Sequence, residues 1–381
     1  MITIREVKTA KERKLFLNFA LKLYKGNKYF VPPLYCDEKR LFRPDYEYYE
    51  QSEAVYYLAF RDKKCVGRIS GILQKAANEK WKQKRVRFTR FDCIDDQEVA
   101  NALFDAVEAW AKKKGMEEVA GPLNFSDMER EGLLIDGFDQ LSTFEEQYNY
   151  PYYQKLIENY GFEKEVDWRE FKIHKPDPET YARMKRVSDK ALERFGLHFG
   201  EAKNTRDFLN KYADAFFEIN DLTYAEIYGT VPFPEGMKKA TIKNFKLIID
   251  MDHVAVIFDK NERPVCFGLC FPSIAKPLQK SKGHLYPLTL IKLLHALKHP
   301  KVIDLALVGV LPEYRMMGIS TAIYTKLAEM ISRDNVEFAE TNLILETNYN
   351  SLNQFKVFNP VEHKRRRAYV KKIGEPKQSE T

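Results

Sequence analysis

The chain reads VGVLPEYRMMGIS from Val308 to Ser320, where an apolar strand gives way to an amphipathic helix. The apolar alternation stops at Pro312, the turn contains Gly318, and apolar residues at helical spacing follow. A helix that begins at such a turn leaves backbone N–H groups unpaired and directs the positive end of its dipole toward them. The pattern therefore predicts an anion-binding turn, to which Arg315 adds a positive charge.

The chain also contains an internal repeat, with an offset of about two hundred residues. Residues 54–73 read AVYYLAFRDKKCVGRISGIL and residues 253–273 read HVAVIFDKNERPVCFGLCFPS, and both predict a strand, a polar turn and a second strand. In each half a strongly amphipathic helix that leads into a strand follows, from residue 99 and from residue 319. The repeat indicates two copies of one α/β module.

The segment HKPDP, from His174 to Pro178, has two prolines in three residues and suits a linker between the copies. We therefore predict domains at residues 1–176 and 177–381. Each is expected to be an α/β (α+β) domain with a mixed, largely antiparallel twisted sheet flanked by helices. The alternative is a pair of unrelated α/β domains with similar hairpins.

The second half resembles the GNAT (acyl-CoA N-acyltransferase) superfamily. The signature of that family is a strand ending in Val-x-Pro-x-Tyr-Arg, followed by Gln/Arg-x-x-Gly-x-Gly/Ala and a helix. The matching positions are Val310, Pro312, Tyr314, Arg315, Gly318 and Ser320. In the first half the resemblance consists of the layout and of the segment 149–162. The whole chain is therefore similar to a tandem GNAT protein whose first copy, residues 1–176, is degenerate.

The resemblance implies acetyl-CoA or another acyl-CoA as co-substrate. It implies that the backbone of Val308 and Val310 pairs with the pantetheine arm, and that the Val310 N–H stabilises the oxyanion formed from the thioester. The pyrophosphate is expected on the turn. The residues expected to bind it are Arg315, Met316, Met317, Gly318, Ile319, Ser320 and Thr321.

The sequence departs from the family's pattern at two places. Many members have glycine or basic residues where this chain has Met316 and Met317, so the grip on phosphate is expected to rest on the backbone and Arg315. The second departure concerns the catalytic acid. The family places a tyrosine that protonates the thiolate seven residues after an asparagine; Asn348 matches, but the later position is Phe355, which has no proton to donate.

The candidate catalytic residues are therefore Asn348, together with Tyr349, Glu346 or a bound water as the substitute acid. None of the substitutes is identified by spacing.

The equivalent turn in the first half carries negative charge. Residues 91–98 read FDCIDDQE, with no glycine and four carboxylates, and Asp95 or Asp96 is a natural helix N-cap. This charge would repel a pyrophosphate. We expect this copy to have kept the fold and lost the cofactor.

Composition limits the partners. The 381 residues include 62 basic and 55 acidic ones, and the net charge of +7 suits a small anionic ligand but is too dilute to indicate nucleic acid. The five cysteines are far apart, and no stretch approaches 18 apolar residues. We expect a reduced, cytoplasmic protein with no nucleic-acid or membrane partner, and the sequence leaves an oligomer open.

Two further groups of residues have simple interpretations. His295 and His299 lie four apart on a predicted helix, but no third ligand has suitable spacing, so no metal is expected. The basic run Lys364 to Arg367 precedes the last predicted strand, and a solvated strand face is the favoured interpretation over a contact with an anion.

These features favour an acyl-CoA-dependent N-acyltransferase that transfers an acetyl or related acyl group to a primary amine of a small molecule or peptide. One alternative is a Fem-type aminoacyl-tRNA-dependent transferase, which has a similar tandem fold. The other is a non-catalytic acyl-CoA-binding or scaffold protein, for which the missing tyrosine argues.

Overall fold

The structure is a computed structural model that describes residues 1–248, 251–315, 317–333 and 335–374. Short 3-10 helices lie at Glu47–Glu50, Met251–His253, Pro312–Tyr314 and Phe355–Phe358. The α-helices are α1 (Ala10–Leu23), α2 (Tyr35–Arg40), α3 (Lys75–Trp81), α4 (Gln97–Lys113), α5 (Tyr152–Asn159), α6 (Pro178–Phe195), α7 (Thr205–Tyr224), α8 (Glu235–Ile248), α9 (Ala275–Ser281), α10 (Pro287–Lys298), α11 (Ile319–Ile331) and α12 (Tyr349–Gln354).

The described residues also form strands. They are β1 (Ile2–Glu6), β2 (Ser52–Arg61), β3 (Lys64–Gln74), β4 (Arg85–Cys93), β5 (Glu118–Gly121), β6 (Leu133–Asp136), β7 (Glu163–Ile173), β8 (His198–Phe199), β9 (Val254–Phe258), β10 (Pro264–Pro272), β11 (Val302–Val310), β12 (Phe338–Glu340), β13 (Ile344–Leu345) and β14 (Val361–Lys372).

The chain divides into two compact units that are not contiguous in sequence. Unit 1 contains Met1–Arg169, Ala275–Leu290 and the residues from Lys364 onward. Unit 2 contains Glu170–Ile274 and Ile291–His363. The tandem copies at 1–176 and 177–381 stay a prediction, since compactness and ancestry are different criteria for dividing a chain.

The sheet of unit 1 runs in the order β1-β2-β3-β4-β5-β14, and β14 continues to β7. Neighbouring strands are antiparallel except β4 and β5, which are parallel. The core lies where α4 covers this sheet, with Val99, Leu103 and Val107 packed among aromatic residues such as Phe88 and Phe91. These are the positions that the amphipathic pattern predicts for this helix.

The sheet of unit 2 repeats the plan in the order β8-β9-β10-β11-β12, followed by the last residues of β7. Its one parallel pair is again formed by the two strands that a helix connects, β11 and β12 with α11 between them. The core contains Ile303 of β11, Leu327 of α11 and Phe358 of the last 3-10 helix. The fold class predicted from the sequence, a mixed and largely antiparallel sheet flanked by helices, is confirmed.

The interpretation of the basic run as a solvated face is wrong for two of its four residues. Lys364 and Arg366 are buried in unit 1, and both pair with the buried carboxylate of Glu146, at 2.9 and 3.2 Å. Side chains alternate between the faces of a strand, so alternate cations point to the covered face. Burying an unpaired charge costs free energy, and the pairs with Glu146 offset this cost for Lys364 and Arg366.

Candidate functional site

The site begins at a strand edge that its neighbour leaves open. Strand β11 pairs with β12 only from Val302 to Asp304, whereas its pairing with β10 continues to Val310. Within the described residues, no strand pairs with this edge beyond Asp304. We call the edge from Leu305 to Val310 the open edge, because no strand of the described residues occupies it.

Val308 shows which backbone groups face the open edge. The hydroxyl of Tyr224, at the end of α7, accepts a hydrogen bond from the Val308 N–H at 3.3 Å and donates one to the Val308 carbonyl at 3.1 Å. Hydrogen-bonding directions alternate along a strand, so the groups of Val310 face the same side. The two residues predicted to pair with a pantetheine arm therefore both present their backbones there.

The turn that follows is exposed and has the backbone conformation that an anion site needs. Pro312–Tyr314 form a 3-10 helix, and Gly318 adopts φ +78° at the N-cap of α11. A side chain is strained in that conformation, which explains the glycine. Arg315 is exposed, and its Nε donates to the Val310 carbonyl at 3.3 Å, which holds the guanidinium beside the open edge.

The other predicted pyrophosphate residues occupy the start of α11. Met317 is exposed and Ser320 is half-buried, while the Ile319 side chain packs in the core. The first N–H groups of a helix have no acceptor within the helix, so those of Gly318 to Ser320 are the natural donors to a phosphate. The Thr321 N–H instead donates to the Gly318 carbonyl at 3.0 Å. Met316 lies outside the described residues.

Helix α6 packs beside the turn and carries exposed cations, which sequence reasoning did not connect with the site. Val187 and Ala191 of α6 lie 3.6 and 3.7 Å from the position that a Cβ on Gly318 would take. Residues three or four positions away share that helix face, and there α6 carries Arg183, Lys190 and Arg194, all exposed. No local signal links α6 to the turn, because more than a hundred residues separate them in the sequence.

The predicted catalytic residues cluster around α12. The Asn348 side chain caps that helix by accepting from the Ser351 N–H at 3.2 Å, and Tyr349 is 68% exposed. Glu346 is half-buried. Phe355, at the position where the family has its tyrosine, is buried against Tyr324. The capping bond gives Asn348 a structural task, and its catalytic role stays a prediction.

A buried acidic group lies where β11 and β12 separate. Asp304 and Glu340 are the last paired residues of these strands, and both side chains are buried. The His363 Nε2 lies 3.3 Å from a Glu340 oxygen, and these two side chains and Glu170 bring their ligand atoms within 4.8 Å of one another. A carboxylate and an imidazole so placed can accept a proton, and the three side chains have the chemistry of metal ligands. The absence of a metal stays a prediction.

The cysteines of the neighbouring strand do not supply a nucleophile. Cys266 lies opposite Val310 in the β10–β11 pairing, and Cys270 is on the same strand. Burial raises the pKa of both thiols, that of Cys270 to about 12. Because the thiolate is the reactive form, neither attacks a thioester at neutral pH.

In unit 1 the corresponding strand edge is covered. Strand β4 leaves β5 after Arg87, and the following segment closes the gap: the Leu123 N–H donates to the Phe88 carbonyl at 2.9 Å. Asp96 caps α4 and pairs with Arg61, which lowers the pKa of this carboxyl. Arg61 also pairs with Glu98, and Arg68 pairs with Asp92, so arginines face three of the four carboxylates of this turn. That this copy binds no pyrophosphate stays a prediction.

Comparisons with known proteins connect this geometry to a fold. No family model matches the chain. Protein YghO of Escherichia coli (strain K12) is 26% identical over 378 residues, which are 97% of this chain and 95% of the relative. The bacterial ceramide synthase of Caulobacter vibrioides is 25% identical, over 78% of this chain and 77% of the relative.

Among solved structures, the tandem GNAT protein from the clavulanic acid biosynthesis pathway superposes with a TM-score of 0.57. The sequence identity is 10%, and the match covers 98% of this chain and 99% of that protein. A match of this extent shows the same fold along the whole chain.

Proposed function

The chain has the tandem GNAT fold, and from it we propose an acyl-CoA-dependent N-acyltransferase that transfers an acetyl or related acyl group to a primary amine. One observation carries the proposal: the open edge of β11 runs into an exposed turn whose glycine has φ +78° and begins a helix. This combination offers a strand edge to an extended amide-containing arm and helix N–H groups to a pyrophosphate.

The residues of unit 2 divide the work of binding. The backbones of Val308 and Val310 would pair with the arm as an added strand, and the Tyr224 hydroxyl would give up its bonds to Val308 in exchange. The N–H groups of Met317 to Ser320, with Arg315, would hold the diphosphate. The cations of α6 replace the basic residues that the turn lacks, since phosphate oxygens bind guanidinium and ammonium groups well.

The chemistry is attack of the amine nitrogen on the thioester carbon. The C–N bond forms and the C–S bond breaks, and the amine loses one proton while the departing sulfur gains one. Acyl-CoA supplies the activated acyl group. The Val310 N–H would donate to the carbonyl oxygen as negative charge develops there. We assign the proton for the sulfur to Tyr224, the phenol that contacts the open edge, in place of Phe355.

Ligand-induced stabilisation tests the proposal. Acetyl-CoA at about one hundred times its Kd should raise the free energy of unfolding by about 2.7 kcal/mol. Gly318→Asp should abolish this shift, because it adds a negative charge and a strained side chain to the turn. Gly115→Asp is the matched control, because Gly115 also has a positive φ, +70°, with open space around it. A chain that shows no shift with any acyl-CoA would refute the proposal.

A longer acyl group and a long-chain amine form a second candidate. One relative is named a ceramide synthase, and a ceramide is an amide of a fatty acid with a long-chain amino alcohol. Unit 2 contains a cavity of about 30 Å³ whose walls are apolar, formed by residues such as Phe208, Phe216, Phe267 and Leu269. Apolar walls favour an aliphatic group, and this volume has room for about one or two methylene groups of such a chain.

The turnover assay separates the two candidates. Acetyl-CoA and a long-chain acyl-CoA are each offered with a short amine and with a long-chain amino alcohol. Faster turnover of the long pair supports the second candidate, and faster turnover of acetyl-CoA with the short amine rejects it.

A further inference from the structure

Helix α10 exposes apolar side chains to an extent that a soluble helix rarely does. Ile291, Leu288 and Leu294 are 63%, 62% and 58% exposed, and Thr289 is the only buried residue of the helix. Leu285 and Tyr286, just before the helix, are also exposed. Contiguous exposed apolar residues of this kind mark an interaction surface.

The charged residues of this helix and of the sequence on either side of it are all lysines. Residues 275–301 contain six lysines and no acidic residue. All six are exposed, at positions 276, 280, 282, 292, 298 and 301. Only Lys301 has a carboxylate nearby, with Glu337 at 3.7 Å; in the described part of the chain, the others form no ion pair. An apolar surface surrounded by uncompensated cations suits an anionic partner that also has an apolar interior.

Hydrogen bonds hold the chain on both sides of this helix. The segment before it is held in unit 1, where the Tyr35 N–H donates to the Gly283 carbonyl and Gln279 donates to the Lys28 carbonyl, both at 2.9 Å. After the helix, in unit 2, the Asn335 side chain donates to the Pro300 carbonyl at 2.8 Å. The helix therefore begins and ends beside anchored segments.

We propose that helix α10 is an interfacial helix that docks this protein onto an anionic lipid surface. Leu288, Leu290, Ile291 and Leu294 would enter the boundary between headgroups and acyl chains, and the lysines would remain at the level of the phosphates. Twelve residues at 1.5 Å each span about 18 Å, which suits a helix lying on a bilayer. The structure shows no helix, among the described residues, that is long and apolar enough to cross a membrane.

This inference goes beyond the proposed acyltransfer and revises a prediction. The prediction of no membrane partner rests on the lack of a stretch approaching 18 apolar residues. That length is needed only by a helix that spans a membrane, and not by one that lies on it. A second copy of the chain is a less suitable occupant of this surface. In a two-fold symmetric contact, the lysine-rich segment would face itself and repel.

Flotation of the full-length protein with lipid vesicles tests the proposal. No acyl-CoA is added, so the result does not depend on the proposed enzymatic activity. Vesicles with about 30% phosphatidylglycerol should bind the protein, and pure phosphatidylcholine vesicles should bind it much more weakly. Ile291→Glu should reduce the partition coefficient by about tenfold. Lys292→Gln and Lys298→Gln should each reduce it on the order of fivefold.

Val361→Glu is the matched control, because Val361 is also β-branched and is 54% exposed. It should leave binding unchanged. Equal loss in the control and in Ile291→Glu, or no preference for anionic vesicles, would overturn the proposal. A lipid-free oligomer in light scattering that Ile291→Glu dissociates, without any vesicle binding, would also overturn it and assign the surface to a second copy.

Discussion

At the scale of single residues, the turn was predictable and its partners were not. Gly318 lies at a strand-to-helix junction, so its sequence neighbourhood alone indicates a positive φ and exposed N–H groups. Tyr224 reaches Val308 across 84 residues of sequence, and nothing local marks it among the 22 tyrosines of the chain. The family's motif, with Phe355 at the position of its tyrosine, predicts the substitute acid near Asn348 instead, at Tyr349 or Glu346.

Replacing Tyr224 tests its role as the proton donor. Tyr224→Phe removes the only proton of this side chain that the thiolate can take, so kcat should fall by about 10²-fold with the KM for acyl-CoA changed little. The dependence of kcat on pH should change as well, because the variant has no phenol proton to donate. Tyr212→Phe is the control on the same helix, since the Tyr212 hydroxyl donates to the Glu201 carbonyl at an exposed position. An unchanged kcat and pH profile in Tyr224→Phe would contradict the assignment.

At the scale of elements, the helices and hairpins follow their sequence patterns, but the closure of strand edges does not. The parallel strands diverge in both units, after Arg87 and after Asp304. In unit 1 the segment after β5 folds back onto the edge of β4 that this divergence exposes. In unit 2, no strand of the described residues covers the corresponding edge of β11. Residues 122–147 have mixed composition and no period of two or of 3.6, so their path depends on tertiary contacts that a pattern cannot encode.

This covering segment carries a buried carboxyl whose ionisation should weaken the fold. Glu131 is 5% exposed, its Oε1 has no hydrogen-bond partner among the described residues, and burial raises its pKa well above its usual range. Between the unfolded pKa, near 4.5, and the raised folded pKa, the native state holds one proton more than the unfolded state. The free energy of unfolding therefore decreases with rising pH, by about 1.4 kcal/mol per pH unit for one full proton.

Glu131→Gln removes this proton uptake and keeps the shape of the neutral side chain. Relative to the wild type, the variant should gain stability as the pH rises above about 5, until the raised pKa of Glu131 is passed, with little difference at pH 4.5 or below. Urea unfolding across this pH range measures the difference. Glu12→Gln is a suitable control, because the Thr9 backbone N–H lowers the pKa of the Glu12 carboxyl. This group is therefore ionised in both states above about pH 5, and the difference from the wild type should stay constant across the range. A pH-independent difference for Glu131→Gln would show that the carboxyl is ionised in the native state.

At the scale of the whole molecule, the two ends of the chain belong to the same compact unit. Residues Tyr369–Lys372 of β14 pair with Glu118–Gly121 of β5, and Lys371 forms a buried pair with Glu108 at 2.9 Å. The sequence shows the repeat and the strand, but not this pairing, because a strand pattern specifies its own faces and not its neighbours. Unit 1 therefore depends on a strand that lies far along the chain from its other strands, and its contacts have large sequence separations.

Truncation tests this dependence. A chain ending at Pro360 lacks β14, which leaves the β5 edge unpaired and removes the cations that neutralise Glu146 and Glu108 in unit 1. Breaking one buried pair costs about 3–5 kcal/mol, and a domain has only about 5–15 kcal/mol in total, so unit 1 should not fold stably in this variant. A chain ending at Gly374 is the control and should unfold in urea at the midpoint of the full-length protein. A peptide of residues 361–374 added in trans should restore the unfolding transition of unit 1, whereas equal midpoints for the two truncated chains would show that β14 contributes little.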